Sequence, residues 1–458
     1  MLLKYFYHKA LAQASYMVGC QAKGTAIVID PTRDITPYLE AAHDEGLQIT
    51  HVTETHIHAD FVSGVRELAA KTGAQMLLSE MGGDDWHYRY KHYPLRDGDT
   101  FMIGSARFEV MHTPGHTPEH LIFILTDTKV GNKPMGIFTG DCLFVGDVGR
   151  PDLLEEAAGI ADTREFGARQ QFQNVQRLKT LPDYWQVWTG HGAGSACGKA
   201  LGAIPTTTLG YEKLFNPAFQ LIDENDFVRW LLDGQPETPR YFGQMKRVNR
   251  EGAALLDDLA EPLRFDPTIL QEVLRTGTLV MDTRRGKEFA KAHLPGTLNV
   301  PATSDRFSTY AGWYVNYAQP TYLIADESDI TRIITELRAI GIDNIPGYFT
   351  PDTAEIGSAH IEQITPPQAA EHSYLLDVRN KSEYDDAHIP DAHHIPMGYV
   401  PQRLNELPHD KPIVTYCSSG VRSLIVASLL QARGFNVVNM RGGIDAWKEA
   451  GLATSNEQ

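Results

Sequence analysis

Two imidazoles and a carboxylate fall within five residues of this chain, in Thr55-His56-Ile57-His58-Ala59-Asp60. Three further motifs end on the same kinds of side chain: His116 in Thr113-Pro114-Gly115-His116, Asp141 in Thr139-Gly140-Asp141, and His191 in Thr189-Gly190-His191-Gly192. Neutral imidazole and carboxylate are the donors that hold divalent first-row metals. A lone His behind an apolar run is more commonly a hydrogen-bonding residue. His51 and His112 are read that way, because neither sits in a repeated pattern. The four motifs taken together point instead to one metal-binding rim.

A second chemistry belongs to a thiol. Ile413-Val414-Thr415-Tyr416 has the pattern of a buried strand, and it delivers Cys417 to the loop Ser418-Ser419-Gly420-Val421-Arg422-Ser423 at the start of a helix. Consecutive backbone N–H groups at such a turn form an anion cradle, and the helix dipole favours a thiolate. Arg422 adds a positive charge. Cys417 therefore reads as a nucleophile assisted by Arg422, with Ser418, Ser419, Gly420, Val421 and Ser423 as the anion-binding loop. Cys197, six residues beyond His191 in a Gly-rich loop, is either a small buried residue or a thiol placed for sulfur handling near the metal. Cys20 and Cys142 sit beside apolar runs and read as core residues.

Each of these ligands follows an apolar run of strand type: 48–53 before His56, 108–111 before His116, 136–140 before Asp141 and 185–189 before His191. Residues 24–31, 74–78 and 122–125 add further strands, 34–46 reads as a helix stopped by Gly46, and 61–68 as the start of another helix. The stretch 212–252 is polar and Pro-containing. Its first part reads as the end of the first domain and its second part as a linker. Beyond it the sequence repeats itself. Asp282, Glu288, His293, Pro295 and Pro301 recur as Asp377, Glu383, His388, Pro390 and Pro396, each 95 residues further on. Such self-similarity means two copies of one fold, here with strands and helices in alternation. The first copy has Ala325-Asp326 where the second has Cys417-Ser418, so it lacks the thiol and carries a charge that would repel an anion. The division expected is 1–245, 253–355 and 360–455, with the middle domain inactive.

Composition bounds the rest. At 458 residues the chain is too long for one core. Its net charge of −17 argues against a nucleic-acid or anionic-membrane surface. No long apolar window or signal-like segment is present, and the four cysteines form no CxxC pair. The expectation is a cytoplasmic protein, forming a dimer or tetramer as enzymes of this size commonly do.

The motifs THxHxD, TPGH, TGD and TGHG over residues 1–245 resemble a metallo-β-lactamase fold, an αββα sandwich, and within it the persulfide dioxygenase branch close to glyoxalase II. The Asp377-Val378-Arg379 strand, Ala387-His388-Ile389-Pro390, the Cys417 loop and Arg441-Gly442-Gly443 resemble a rhodanese domain. The whole chain is thus similar to a persulfide dioxygenase–rhodanese fusion: an α/β protein with an N-terminal αββα domain and two rhodanese-like parallel α/β domains. This resemblance implies one Fe(II) per chain on His56, His116 and Asp141, with O2 as co-substrate. Two His and one carboxylate is also the facial triad of oxygen-activating iron. It further implies a substrate-side role for Arg150, in Gly149-Arg150-Pro151-Asp152. Hydrolytic relatives carry a His after THxHxD to serve a second metal, and Phe61 stands there. His58, Asp60 and His191 are then expected to orient ligands and bound water, or to form a weak second metal site. Only four residues lie between Cys417 and Arg422, one fewer than in cysteine phosphatases, which suits a sulfur atom better than a phosphate.

The expected activity is oxidation of a glutathione, coenzyme A or bacillithiol persulfide to sulfite, coupled to sulfur transfer through Cys417 to give thiosulfate. A glyoxalase II-like thioester hydrolase fused to a sulfurtransferase is the alternative. A non-catalytic persulfide carrier is a third reading, disfavoured by the complete ligand set.

Overall fold

The computed structural model describes residues 1–153, 155, 163–193, 195–355 and 359–456. By its packing the chain divides into two units, Met1–Leu259 with Arg338–Gly341, and Ala260–Leu337 with Ile342–Gln458.

The first unit contains two six-stranded sheets. One runs in chain order through Leu2–His8, Gln13–Cys20, Thr25–Ile29, Gln48–Thr53, Gln75–Ser79 and Tyr93–Leu95. The other runs from Thr206–Thr208 back through Gln186–Thr189, Gly136–Gly140, Leu121–Asp127 and Ala106–His112 to Thr100–Ile103. The period-2 geometry of strands sorts their side chains into two faces. Ile27 and Ile29 join Phe123, Leu125, Phe138 and Trp188 in the core between the sheets. Val28 and Val52 face outward onto Tyr38, Ala42 and Leu68, supplied by the helices Thr36–Asp44 and Val65–Thr72. Ile122, Ile124 and Val187 face the opposite way, onto Phe172 and Val175 of Thr163–Lys179 and Phe227 and Leu231 of Glu224–Leu232. The layers are αββα.

Two local readings change. Residues 61–64 are not the first turn of a helix; the helix begins at Val65. Gly64 packs so closely on the chain that a Cβ there would stand 2.0 Å from Thr32 O, and Thr32 bridges Ser63. The ligand loop is therefore longer than its periodicity implied. The supposed linker around residue 250 is the end of a helix, Phe242–Glu251, whose residues Phe242, Met245, Lys246 and Asn249 are buried.

The second unit contains two five-stranded parallel sheets of identical connectivity. The first is ordered Leu263–Arg264, Gly347–Phe349, Thr321–Ile324, Leu279–Asp282, Leu298–Asn299, and the second Glu362–Ile364, Val437–Met440, Ile413–Tyr416, Leu375–Asp377, His393–His394. The two modules share an interface on the helix Val421–Ala432: Ser428 Oγ accepts from Asn299 N at 3.0 Å, and Gln431 Oε1 lies 2.7 Å from His293 Nε2. Tyr314 Oη also donates to Met397 O at 2.9 Å. No helix among the described residues is long and apolar enough to cross a membrane.

Candidate metal centre and sulfur-transfer loop

Four strand ends supply one site. His56 and Asp60 lie on the loop after Gln48–Thr53, His116 on the loop after Ala106–His112, Asp141 directly after Gly136–Gly140, and His191 just after Gln186–Thr189. Gly140 has φ 46°, and a Cβ there would stand 2.4 Å from Thr55 Oγ1. Glycine is what lets the end of this strand turn Asp141 in beside the His56 loop.

His56, His116 and Asp141 offer ligand atoms that all lie within 4.8 Å of one another. Nε2 of His116 and Nε2 of His56 stand 3.4 and 3.9 Å from Asp141 Oδ2. His116 Nδ1–H donates to Arg150 O at 2.8 Å, which leaves the Nε2 lone pair facing the site. Thr55 Oγ1 holds His56 Nδ1 at 2.9 Å. Burial, reinforced by the charge of His58 for His56 and of Lys246 for His116, keeps both imidazoles far below the ordinary His range and therefore neutral. Burial pushes Asp141 up to about 6, against the pull of His191.

A second group, Asp60, His191 and Cys197, adjoins the first, its ligand atoms also within 4.8 Å of one another. His191 Nε2 lies 3.5 Å from Asp60 Oδ2 and 3.5 Å from Asp141 Oδ1. Both oxygens of Asp60, both of Asp141 and His191 Nε2 are buried without a hydrogen-bond partner. Unpaired buried acceptors are costly, and a bound cation would offset that cost. The donor set thus fits a divalent metal in the first group, and the second group offers a further place with a thiol in it.

His58 belongs to neither group. Its Nε2 bonds Asp30 Oδ1 at 3.1 Å. Burial opposes its charge, but that bond and the carboxylates of Asp30, Glu54 and Asp60 raise it to about 9. Phe61 lies against its ring, centroids 4.4 Å apart.

The thiol of the second unit is held as tightly. Cys417 is buried, and its Sγ accepts from Gly420 N at 3.1 Å. Gly420, at φ 106°, opens the helix Val421–Ala432. Arg422 donates to both Glu383 oxygens, at 2.6 and 2.7 Å, and to Ser418 Oγ at 2.8 Å. Ser418 Oγ donates in turn to Glu383 Oε1 at 2.8 Å. Burial works against the Glu383 charge, but the Arg422 bonds and charge bring it down to about 2. Ile444 N donates to Cys417 O at 2.8 Å. In the middle module the matching strand ends at Ile324 and delivers Ala325, buried and without a nucleophile.

Comparison with known proteins follows the same division. Residues 8–191 match the metallo-β-lactamase superfamily and residues 361–450 the rhodanese-like domain. A solved metallo-β-lactamase of Staphylococcus aureus subsp. aureus COL is 44% identical, with a TM-score of 0.71, and the match covers 76% of this chain and 99% of that one. The chain belongs to the metallo-β-lactamase superfamily. It also carries a C-terminal rhodanese-like domain. Curated relatives of this metallo-β-lactamase-fold protein include the hydroxyacylglutathione hydrolase of Rhodospirillum rubrum, 33% identical over 38% of the chain. They also include the mitochondrial persulfide dioxygenase ETHE1 of Bos taurus, 26% identical over 50% of the chain and 80% of the relative. The match spans only 60% of the length of that hydrolase.

Within this superfamily member, His56, His116 and Asp141 come together, as do Asp60, His191 and Cys197. Arg150 lies beside the centre, but its buried guanidinium is engaged: Nε and Nη2 donate to Asp152 at 2.7 and 2.5 Å, and its carbonyl holds His116. Ser423 Oγ donates to Gly420 O at 3.3 Å, bracing the Cys417 loop, and Val421 is exposed at its mouth. Sequence reasoning missed His120, whose Nε2 accepts from Asp141 N at 3.1 Å and whose ring stacks 5.0 Å from that of His56. It missed Asn249, which ties the ligand loop: Nδ2 donates to His58 O and Phe61 O, both at 2.8 Å, and Oδ1 accepts from Ser63 N at 2.9 Å. Glu383 was visible only as a repeated position, with Glu288 as its counterpart.

Proposed function

We propose that this chain oxidises a low-molecular-weight thiol persulfide to sulfite at the metal centre and transfers sulfane sulfur through Cys417, giving thiosulfate. The observation that carries the reading is the neutral His56 and His116 imidazoles converging on the buried, unpaired Asp141 carboxylate. Two His and one carboxylate leave coordination positions open, which suits Fe(II) oxygen chemistry. When bound, Fe(II) would supply the activation of O2; His56, His116 and Asp141 would hold it, and His120 and Arg150 O would keep the ligands oriented. The oxidation consumes one O2 and one water per persulfide and yields sulfite, the free thiol and protons.

At the second site the Cys417 thiolate attacks the terminal sulfur of a persulfide. The S–S bond breaks, the donor leaves as a thiol, and Cys417 becomes a persulfide. Sulfite then takes that outer sulfur, forming the S–S bond of thiosulfate, and the electron pair returns to the Cys417 thiolate. Gly420 N–H cradles the Cys417 sulfur, and Arg422, tied with Ser418 to Glu383, lends its charge to the loop where the anions would arrive and leave. The similarity to ETHE1 and to the rhodanese-like domain supports both halves.

A thioester hydrolase is a second reading, favoured by the hydroxyacylglutathione hydrolase relatives and by the second group of Asp60, His191 and Cys197, which could seat a second cation. One assay separates the two. Fe(II)-loaded protein is given glutathione persulfide, coenzyme A persulfide or S-D-lactoylglutathione, with oxygen, sulfite, thiosulfate and free thiol measured. Oxygen loss with thiosulfate supports the proposal, and sulfite alone removes the coupling. Thioester cleavage without oxygen loss establishes the hydrolase.

A further inference from the structure

The helix Phe242–Glu251 carries a charge that the chemistry above leaves unused. Lys246 and Asn249 are three residues apart and so share a helix face. Asn249 fastens that face to the ligand loop through its bonds to His58 O, Phe61 O and Ser63 N. Lys246 is only 6% exposed, and its Nζ has no hydrogen-bond partner. It lies 5.4 Å from the centroid of the Trp86 ring. Its charge is felt by Asp141 and His116 of the metal centre, by Cys197 of the adjoining group, and by Glu119 and Asp152. Glu119 does not neutralise it at contact. One oxygen of that carboxylate accepts from Ile57 N and Thr117 Oγ1, and the other is unpartnered. Burial lowers Lys246 to about 8, so the ammonium persists at neutral pH. Two other buried cations of this region are engaged, Arg150 with Asp152 and His58 with Asp30.

A buried ammonium with unused donors is costly unless an anion meets it. We propose that Lys246 forms an anion subsite beside the metal centre that takes the negatively charged sulfur group of the substrate, the persulfide anion before oxidation and the sulfite oxygens after it. This assignment rests on the persulfide reading for the identity of the anion. Lys246 is a binding and positioning residue, held in place by Asn249 and Trp86.

The test is titration calorimetry of sulfite into metal-loaded wild type, Lys246→Met and Lys246→Arg, together with oxygen-uptake kinetics on glutathione persulfide. Loss of a charged hydrogen bond weakens binding by about tenfold or more. Lys246→Met is expected to weaken sulfite and raise KM for the persulfide by that factor, with kcat changed far less, and Lys246→Arg to restore most of both. Lys246→Gln serves in place of Lys246→Met if the latter does not fold. Unchanged sulfite affinity and KM in a folded variant with full metal content overturns the proposal, as does a wild type that binds no sulfite. If the wild type consumes no oxygen, the dioxygenase reading falls, while the sulfite titration still decides the subsite.

Discussion

Replacing Asn249 by Leu tests whether the ligand loop is held from outside its own sequence. The side chain is 3% exposed and makes three hydrogen bonds of 2.8, 2.8 and 2.9 Å, to the carbonyls of His58 and Phe61 and the N–H of Ser63. The substitution keeps the number and branching of side-chain heavy atoms but leaves two carbonyls and one N–H buried without partners. At about 1–3 kcal/mol each, with partial relaxation of the loop, the loss is about 3–6 kcal/mol. The same loop carries His56 and Asp60, so metal affinity should fall by about 10–100-fold, as it does when groups supporting ligands are removed. Urea unfolding of the first transition and chelator competition for the bound metal measure the two effects. Arg247→Ala, two residues away on the exposed face of the same helix, is the control and should change stability by less than about 0.5 kcal/mol. A loss below about 1 kcal/mol with unchanged metal affinity would show that the loop is fixed by its own strand and helix, and the reasoning would fail.

Further outcomes concern both sites. Asp141→Asn should remove most bound metal, read by elemental analysis of the purified protein, because its carboxylate stands between both ligand groups. Gly443→Ala should abolish sulfur transfer in a thiosulfate–cyanide assay, since φ is 60° there and a Cβ would stand 2.1 Å from Cys417 O; oxygen consumption by the first unit should persist. Glu383 has a folded pKa near 2 against an ordinary 4.5, so its pairing with Arg422 stabilises the loop above about pH 4.5 and is lost as pH falls towards 2. Melting of the wild type should therefore fall more steeply than that of Glu383→Gln between pH 5 and pH 3; parallel curves would remove the pair as the cause. Tyr314→Phe removes the bond to Met397 O and should destabilise the second unit by about 1 kcal/mol in thermal unfolding.

Much of this molecule is written locally. His56, His116, Asp141 and His191 each follow a strand whose apolar pattern is visible in the chain, and the 95-residue repeat announces two modules that share one sheet order. The Cys417 loop is contiguous, so its cradle and its arginine are legible together. What the sequence left open is everything that depends on segments distant from one another. Phe61 is visible in the chain as a residue that cannot ligate a metal, but only the fold brings Cys197 to Asp60 and His191. Residues near 250 have a linker's composition and fold as a helix because Met245, Lys246 and Asn249 are buried, Asn249 against the ligand loop 186 or more residues back along the chain. His58 sits in the ligand motif, yet Asp30 takes its Nε2, a pairing set by two neighbouring parallel strands. Periodicity and motif spacing report the backbone, whose hydrogen bonds are short-range. The occupancy of a buried charge is decided by which opposite charge packing brings within a few ångströms, and that is a property of the tertiary structure.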